Sequence, residues 1–273
     1  NRKDTFMNVL DIKELREDLG KRIIDGVEKL GREVKVATVR VGENAGDISY
    51  EKAVKNNCAK LNITCDQIVL EEGENEKLIQ TIKELNETHD GILMFRPLKD
   101  KKLEKEIQYI IAPEKDIDAM GMVNLGKVLA AEEDAYYPAT ARAVVEIVKY
   151  YNFDVKNVVI VNRSLVLGKP LFNMLIKENK TVTMCHSRTE DIKSFTKNAD
   201  LVVTAVGKAK MFDDSYFTED SYVVDVGVSL DENGKLSGDV NPEVNVKVLA
   251  NSVGKITTRV LLLQMVEGAL NRQ

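Results

Sequence analysis

Residues 157–176 read NVVIVNRSLVLGKPLFNMLI, and the way this stretch folds decides the architecture of the chain. An apolar, β-branched run passes through a short polar loop into residues with apolar side chains at helical spacing. A buried strand entering a helix directly is half of a βαβ unit. In a doubly wound sheet that turn presents backbone N–H groups and a helix N-terminus to phosphate. Gly168 is the only glycine here, so no GxGxxG fingerprint is present. On periodicity alone, an ordinary βα turn with an exposed Arg163 fits equally well.

The same rhythm runs along most of the chain. VKVATVRVG (34–42), DQIVLEE and GILMFRP read as strands, and residues 47–61, EKLIQTIKELNET and KKLEKEIQYII as helices. A loop-rich stretch over residues 112–140 interrupts the alternation, which restarts with ARAVVEIVKYY as a helix. After 157–176 come TVTMCHS (strand), DIKSFTKNA (helix), LVVTAVG (strand) and SYVVDVGVSL (strand), then a DENGK turn and an amphipathic helix, ITTRVLLLQMVEGAL. Strands alternating with helices of this length predict an α/β fold of two lobes with parallel sheets, joined near residue 138.

Composition narrows the function. The 273 residues carry 39 basic and 44 acidic side chains, a formal charge of −5, and no long basic run, which argues against nucleic acid as the main partner. No apolar run approaches 18 residues, so no membrane span is expected. Cys58, Cys65 and Cys185 are odd in number and widely spaced, as expected of reduced thiols in a cytoplasmic protein. NRKDTF, ahead of the first methionine, reads as an expression remnant or an N-terminal extension outside the fold. Neither His89 nor His186 has metal-ligand spacing, so no metal is expected.

The strand after the nucleotide-type turn ends in CHSRT. In dinucleotide folds this end meets the adenosine ribose: a carboxylate suits the 2′-hydroxyl, cationic and hydroxyl groups suit a 2′-phosphate. Ser187 and Arg188, with Arg163 across the loop, favour NADP over NAD, although Arg188 also reads as a solvated surface charge.

At VNRSLVLGKP, CHSRT, VVDVGVSLDENGKLSGDV and PEKDIDAMGMVNLGK the sequence resembles the methylenetetrahydrofolate dehydrogenase/cyclohydrolase family, from about residue 8 to the C-terminus. The resemblance implies two α/β lobes around a cleft, the second of them a Rossmann-type dinucleotide-binding domain. It places residues 1–137 in a folate-substrate domain completed by a C-terminal helix over 257–273, and 138–256 in the NAD(P)-binding domain. A homodimer and a folate substrate are implied as partners. The implied cofactor contacts are Thr140, Asn162, Arg163, Ser164, Ser187, Arg188 and the backbone of Val228. Tyr50 falls where the family stacks a tyrosine along folate, and Asp118 where a carboxylate holds the pterin edge. A carboxylate suits that edge because it accepts two parallel hydrogen bonds; without the resemblance Asp118 reads as an Asx turn.

Four departures matter. Bifunctional members carry lysine four residues after the tyrosine, where this chain has Val54; their glutamine in the third strand motif is Phe95. The family's PCTP is PATA (138–141), and its PGGVGP is ANSVGK (250–255). At about 100° per residue, Tyr50, Val54, Asn57, Cys58 and Leu61 share a helix face, while Lys52, Lys55 and Lys60 point away into a solvated face. Cys58 reads as a small buried hydrophobe. The resulting expectation is an NADP-dependent dehydrogenase, resembling the monofunctional members, with weak or absent cyclohydrolase activity. The alternatives are a bifunctional enzyme using another lysine and a non-catalytic nucleotide-binding paralogue.

Overall fold

A computed structural model describes residues 8–273; NRKDTF, read above as lying outside the fold, falls outside the described residues. The chain divides into two compact units: Arg16–Ala139 with Thr258–Gln273, and Thr140–Thr257 with the N-terminal stretch up to Leu15.

The first unit runs α1 (Lys13–Leu30), β1 (Lys35–Val41), α2 (Ala45–Lys60), β2 (Thr64–Leu70), α3 (Asn75–Thr88), β3 (Gly91–Met94), α4 (Lys101–Ile110) and α5 (Met122–Leu129). Its sheet has the order β2-β1-β3, and both pairings are parallel, Val36 lying opposite Cys65 on one side and Gly91 on the other. β1 is central and buried from Val36 to Arg40, which is why it reads as a nearly continuous β-branched run rather than an alternating one. Ala37, Val39, Ile82, Ile92, Met94 and Ile107 meet in one core. Asn44 opens α2 by accepting from the amides of Gly46 and Asp47 at 2.9 and 3.1 Å, and Asp100 opens α4 likewise.

The second unit contains α6 (Ala139–Tyr150, which begins one residue before the boundary), β4 (Asn157–Val161), α7 (Gly168–Lys177), β5 (Thr181–Cys185), α8 (Ile192–Thr196), β6 (Leu201–Thr204), β7 (Tyr222–Asp225), β8 (Ser229–Leu230), β9 (Leu236–Ser237) and β10 (Val248–Ala250). Five strands form a wholly parallel sheet in the order β10-β7-β6-β4-β5. The order reverses direction at β4, with β5 on one side and β6 on the other. Such a switch point is where doubly wound sheets bind ligands, outside the carboxyl ends of the strands.

Two expectations change, and two stretches gain detail. The loop-rich stretch 112–140 contains one short helix, α5, and Lys13–Leu30, left without an assignment above, is a helix burying Leu15, Leu19 and Ile23. SYVVDVGVSL is two strands: the chain leaves the parallel sheet at Asp225, and β8 pairs antiparallel with β9 across the DENGK turn. The last helix, α9 (Gly254–Asn271), is not amphipathic. It is buried on all sides from Val260 to Val266, and Gly91 and Gly26 are pressed against its Met265 and Val266. Among the described residues no helix is long and apolar enough to cross a membrane, and no group of three potential metal ligands occurs.

Candidate active site

In the first unit the substrate-side candidates sit at the carboxyl end of the small sheet. Tyr50 lies in the second turn of α2 and is half-buried. Its ring meets Phe95 edge to face with centroids 5.9 Å apart, and Phe95 directly follows β3. The next residue, Arg96, brings Nη2 to 3.8 Å from Asp118 Oδ2. Tyr50 and Asp118 are thus linked through consecutive side chains at one strand exit. Sequence reasoning missed Arg96, whose only signal was a cation placed just after a buried parallel strand.

Asp118 does not form an Asx turn. Its Oδ1 accepts the amide of Ala139 at 3.0 Å, tying the loop before α5 to the first residue of α6. Burial pushes its carboxyl up to about 6, and Asp116 adds to this; the Ala139 bond and Arg96 oppose it. Asp116 is itself buried, accepting from the amides of Met120 and Gly121 at 2.9 and 2.8 Å and from Asn124. These bonds fix the chain on either side of Asp118.

A buried glutamine from α9 supports the same segment. Gln264 Nε2 donates to the carbonyls of Ile117 and Tyr137, both at 2.9 Å, and Oε1 accepts the Tyr137 amide at 2.9 Å. Ile117 precedes Asp118, and Tyr137 stands two residues before Ala139. One side chain therefore holds both strands of the Asp118–Ala139 contact.

The face of α2 follows the helical geometry. Val54 is 1% exposed, Cys58 and Leu61 are buried, and Lys52, Lys55 and Lys60 are exposed. Lys55 donates to Gln67 at 2.7 Å, on the solvent side. Cys58 is buried as expected, but it has a partner: its thiol meets Cys65, which together with burial pushes the Cys58 thiol up. Glu51 was not anticipated. It is 3% exposed, accepts from Thr38 Oγ1 at 2.8 Å, and pairs with the buried Arg40 at 3.2 Å. A separate groove of about 750 Å³, lined by Val41, Asp47, Glu72, Leu98 and Asp100 among others, opens nearby; neither Tyr50 nor Asp118 lines it.

In the second unit Asn162, Arg163 and Ser164 follow β4 at the switch point and Ser187 and Arg188 follow the neighbouring β5, whereas Val228 lies beyond β7 and Thr140 at the start of α6. Asn162 follows β4 and spans to the β6 side: Nδ2 donates to Ala205 O at 2.8 Å. Its Oδ1 accepts from Ser164 N, Ser164 Oγ and Gly168 N at 2.8–2.9 Å. Asn162 is thus committed largely to shaping the loop and keeps one amide hydrogen for a ligand. Gly168 is required, because a Cβ there would stand 2.1 Å from Asn162 O. Arg163 is exposed and Ser164 half-buried. At the end of β5, His186 accepts from Arg188 N and donates its own amide to Thr189 Oγ1, a closed turn that leaves Ser187 and Arg188 exposed. Val228 is 66% exposed beside a buried Ser229 hydroxyl that has no partner, which is spare hydrogen-bonding capacity at the start of β8. Thr140 is half-buried as the second residue of α6. A tight loop on a switch point, exposed cationic and hydroxyl groups at the neighbouring strand end, and an unused buried hydroxyl together fit a dinucleotide.

Family models agree with both halves. Residues 10–118 match the catalytic domain of tetrahydrofolate dehydrogenase/cyclohydrolase, and residues 138–273 match its NAD(P)-binding domain. The chain belongs to this family. The bifunctional protein FolD of Clostridium botulinum is 44% identical over 269 residues, covering 94% of each chain. Among solved structures, the bifunctional FolD of Campylobacter jejuni superposes with a TM-score of 0.91 at 29% identity, covering 97% of this chain and 99% of that one. The Trypanosoma brucei methylenetetrahydrofolate dehydrogenase-cyclohydrolase, solved with NADP cofactor and inhibitor, gives 0.87 at 25% identity, covering 97% of each. The protein is accordingly an NAD(P)-dependent methylenetetrahydrofolate dehydrogenase of the tetrahydrofolate dehydrogenase/cyclohydrolase family, with the two-domain α/β fold expected from its sequence.

Proposed function

We propose that the protein oxidises 5,10-methylenetetrahydrofolate with NADP+ and hydrolyses the methenyl product weakly or not at all. The observation that carries this is the apolar lining beside Tyr50: Val54 is 1% exposed and Phe95 is 8% exposed, with its ring against Tyr50. The two reactions make different demands. In the oxidation, the substrate carbon lies between two nitrogens whose lone pairs stabilise the developing cation, so the protein mainly has to orient that carbon and exclude water. NADP+, when bound, supplies the hydride acceptor. Tyr50 would lie along the folate, and Asp118 would accept from the pterin edge, held in place by Ala139, Arg96 and Gln264. Hydrolysis also needs a proton carrier for the attacking water, worth typically ~10²–10⁴-fold, and neither valine nor phenylalanine can carry a proton.

A second reading has its own support. The 44%-identical Clostridium botulinum relative is named bifunctional, so a cyclohydrolase that uses a different proton carrier in this chain is the direct competitor. The two separate when methenyl-folate formation and decay are followed independently with both cofactors: enzyme-dependent decay of the methenyl product supports the bifunctional reading and overturns the monofunctional one.

NADP is preferred over NAD in this reading because the exposed Ser187 and Arg188 end β5 with no carboxylate between them and the strand. Residues 1–137 with 257–273 serve the folate and 138–256 the dinucleotide. The functional unit is a homodimer, tested by sedimentation equilibrium.

A further inference from the structure

Two buried carboxylates in the second unit play no part in the chemistry above. Asp225 ends β7 and is 2% exposed; Asp239, two residues after β9, is fully buried. Asp225 accepts from Thr204 Oγ1 at 3.0 Å, Gly227 N at 3.1 Å and Val240 N at 2.9 Å. Asp239 accepts from Val206 N at 2.6 Å and Lys208 N at 2.8 Å. These donors are all neutral: backbone amides and one hydroxyl. Burying a carboxylate among neutral donors is costly, and a hydrophobic pair could fill the space without that cost. The two carboxylates also oppose each other, and burial together with the charge of Asp239 pushes Asp225 up to about 6. An arrangement this unfavourable calls for a reason other than packing.

Its connectivity supplies one. Asn162, in the turn after β4, donates to Ala205 O, and the following amide, Val206 N, donates to Asp239. The Asp239 carboxylate in turn lies against Gly227, where a Cβ would be only 1.9 Å from Oδ2. Gly227 N donates to Asp225 and precedes Val228. A continuous chain of bonds and contacts thus runs from Ser164 through Asn162, Ala205, Val206 and Asp239 to Gly227. It crosses the carboxyl ends of β4, β6 and β7, the line along which a dinucleotide would extend.

We propose that Asp239, backed by Asp225, is a positioning residue of the dinucleotide site, fixing the Asn162–Ser164 loop and the Gly227–Val228 loop at one spacing. This rests on the reading that those two loops hold opposite ends of NADP+. The carboxylate is suited to the task because its two oxygens take two amides from one loop while its bulk seats the glycine of the other. Asparagine is nearly isosteric but must present an N–H to either Val206 or Lys208, donor against donor.

The test has two arms on the full chain. In Asp239→Asn, KM for NADP+ is expected to rise about tenfold or more while KM for methylenetetrahydrofolate stays within about twofold, as expected for misplacement confined to one ligand. Equal rises in both constants, or no change in either, would overturn the proposal. The second arm needs no variant: amide hydrogen exchange of the native protein with and without NADP+. Slowed exchange at Val206, Lys208 and Gly227 together with Ser164 and Gly168 supports the coupling. Slowing confined to 162–168 refutes it while leaving the cofactor reading intact. Failure of NADP+ to bind at all removes the cofactor reading, and the proposal with it.

Discussion

Asp118 and Val54 show what single residues decide. The Asp118 carboxyl is pushed up to about 6, so the folded state holds its proton to higher pH than the unfolded chain does. By linkage, the contribution of this group to stability is greatest at low pH and falls as pH rises from about 4 to about 6. Asp118→Asn removes the burden of a half-buried charge and should raise the urea midpoint slightly at pH 7 but not at pH 4. The same change should lower kcat/KM for the folate at least tenfold, because an amide cannot accept two parallel hydrogen bonds. In the native enzyme, kcat/KM should decline below about pH 6 as that carboxylate is protonated; a flat profile down to pH 5 would remove Asp118 from the substrate site. Val54 gives the complementary case. Val54→Lys puts an amine where hydrolysis would need one, yet Phe95 still fills the place of the amide that would tune it. Little methenyl hydrolysis should appear until Phe95→Gln is added, and a large gain from the single change would count against this account.

At the scale of elements, α2 is anchored to β1 by a charge pair that nothing in the spacing of SYEKAVKNN announces. Glu51 and Arg40 are both buried, with Thr38 completing the acceptor's environment. Removing Glu51 leaves the buried Arg40 with Glu43 and the Gly42 carbonyl as its partners, so Glu51→Ala should cost about 1–3 kcal/mol in urea unfolding. Arg40→Leu combined with Glu51→Leu should recover most of that loss, giving a large coupling in the double-mutant cycle. Elements whose signal is carried by their own residues were legible: β-branched runs gave the strands, and 3.6-residue periodicity gave α3, α4 and α7. Those shaped by distant partners were not. α5 lies in a glycine-containing stretch, and the amides just before it are held by Asp116 rather than by a local cap. α9 carries Thr257, Thr258 and Gln264 in a pattern that mimics an amphipathic face, although all three are buried. The candidate site divides in the same way. Tyr50, Asp118 and the NRS turn were singled out only through the resemblance to the family, since Asp118 by itself reads as an Asx turn, whereas Arg96 and Gln264 acquire meaning only from what they touch.

Over the whole molecule, the first unit is completed by residues more than a hundred positions away in the chain. α9 brings an apolar cylinder into that unit, so its one buried amide must find partners there. Gln264 finds them at Ile117 and Tyr137, the two segments that carry Asp118 and Ala139. Fold closure and site geometry are therefore set by the same side chain. Gln264→Leu keeps the volume but deprives the buried Ile117 carbonyl and the half-buried Tyr137 amide and carbonyl of this partner, and should destabilise the protein by roughly 1–3 kcal/mol. A purely structural role would stop there, with the remaining folded fraction fully active. If Gln264 also positions Asp118, the folded variant should show a raised KM for methylenetetrahydrofolate with its affinity for NADP+ unchanged. Steady-state kinetics well below the unfolding temperature, paired with NADP+ titration, separates the two outcomes. Gln264→Glu sharpens the comparison: Oε1 can still accept the Tyr137 amide, and while protonated the new carboxyl can keep one of the two donated bonds, whereas once ionised it faces both carbonyls. It should therefore be milder than leucine at low pH and more damaging as pH rises and the new carboxyl ionises.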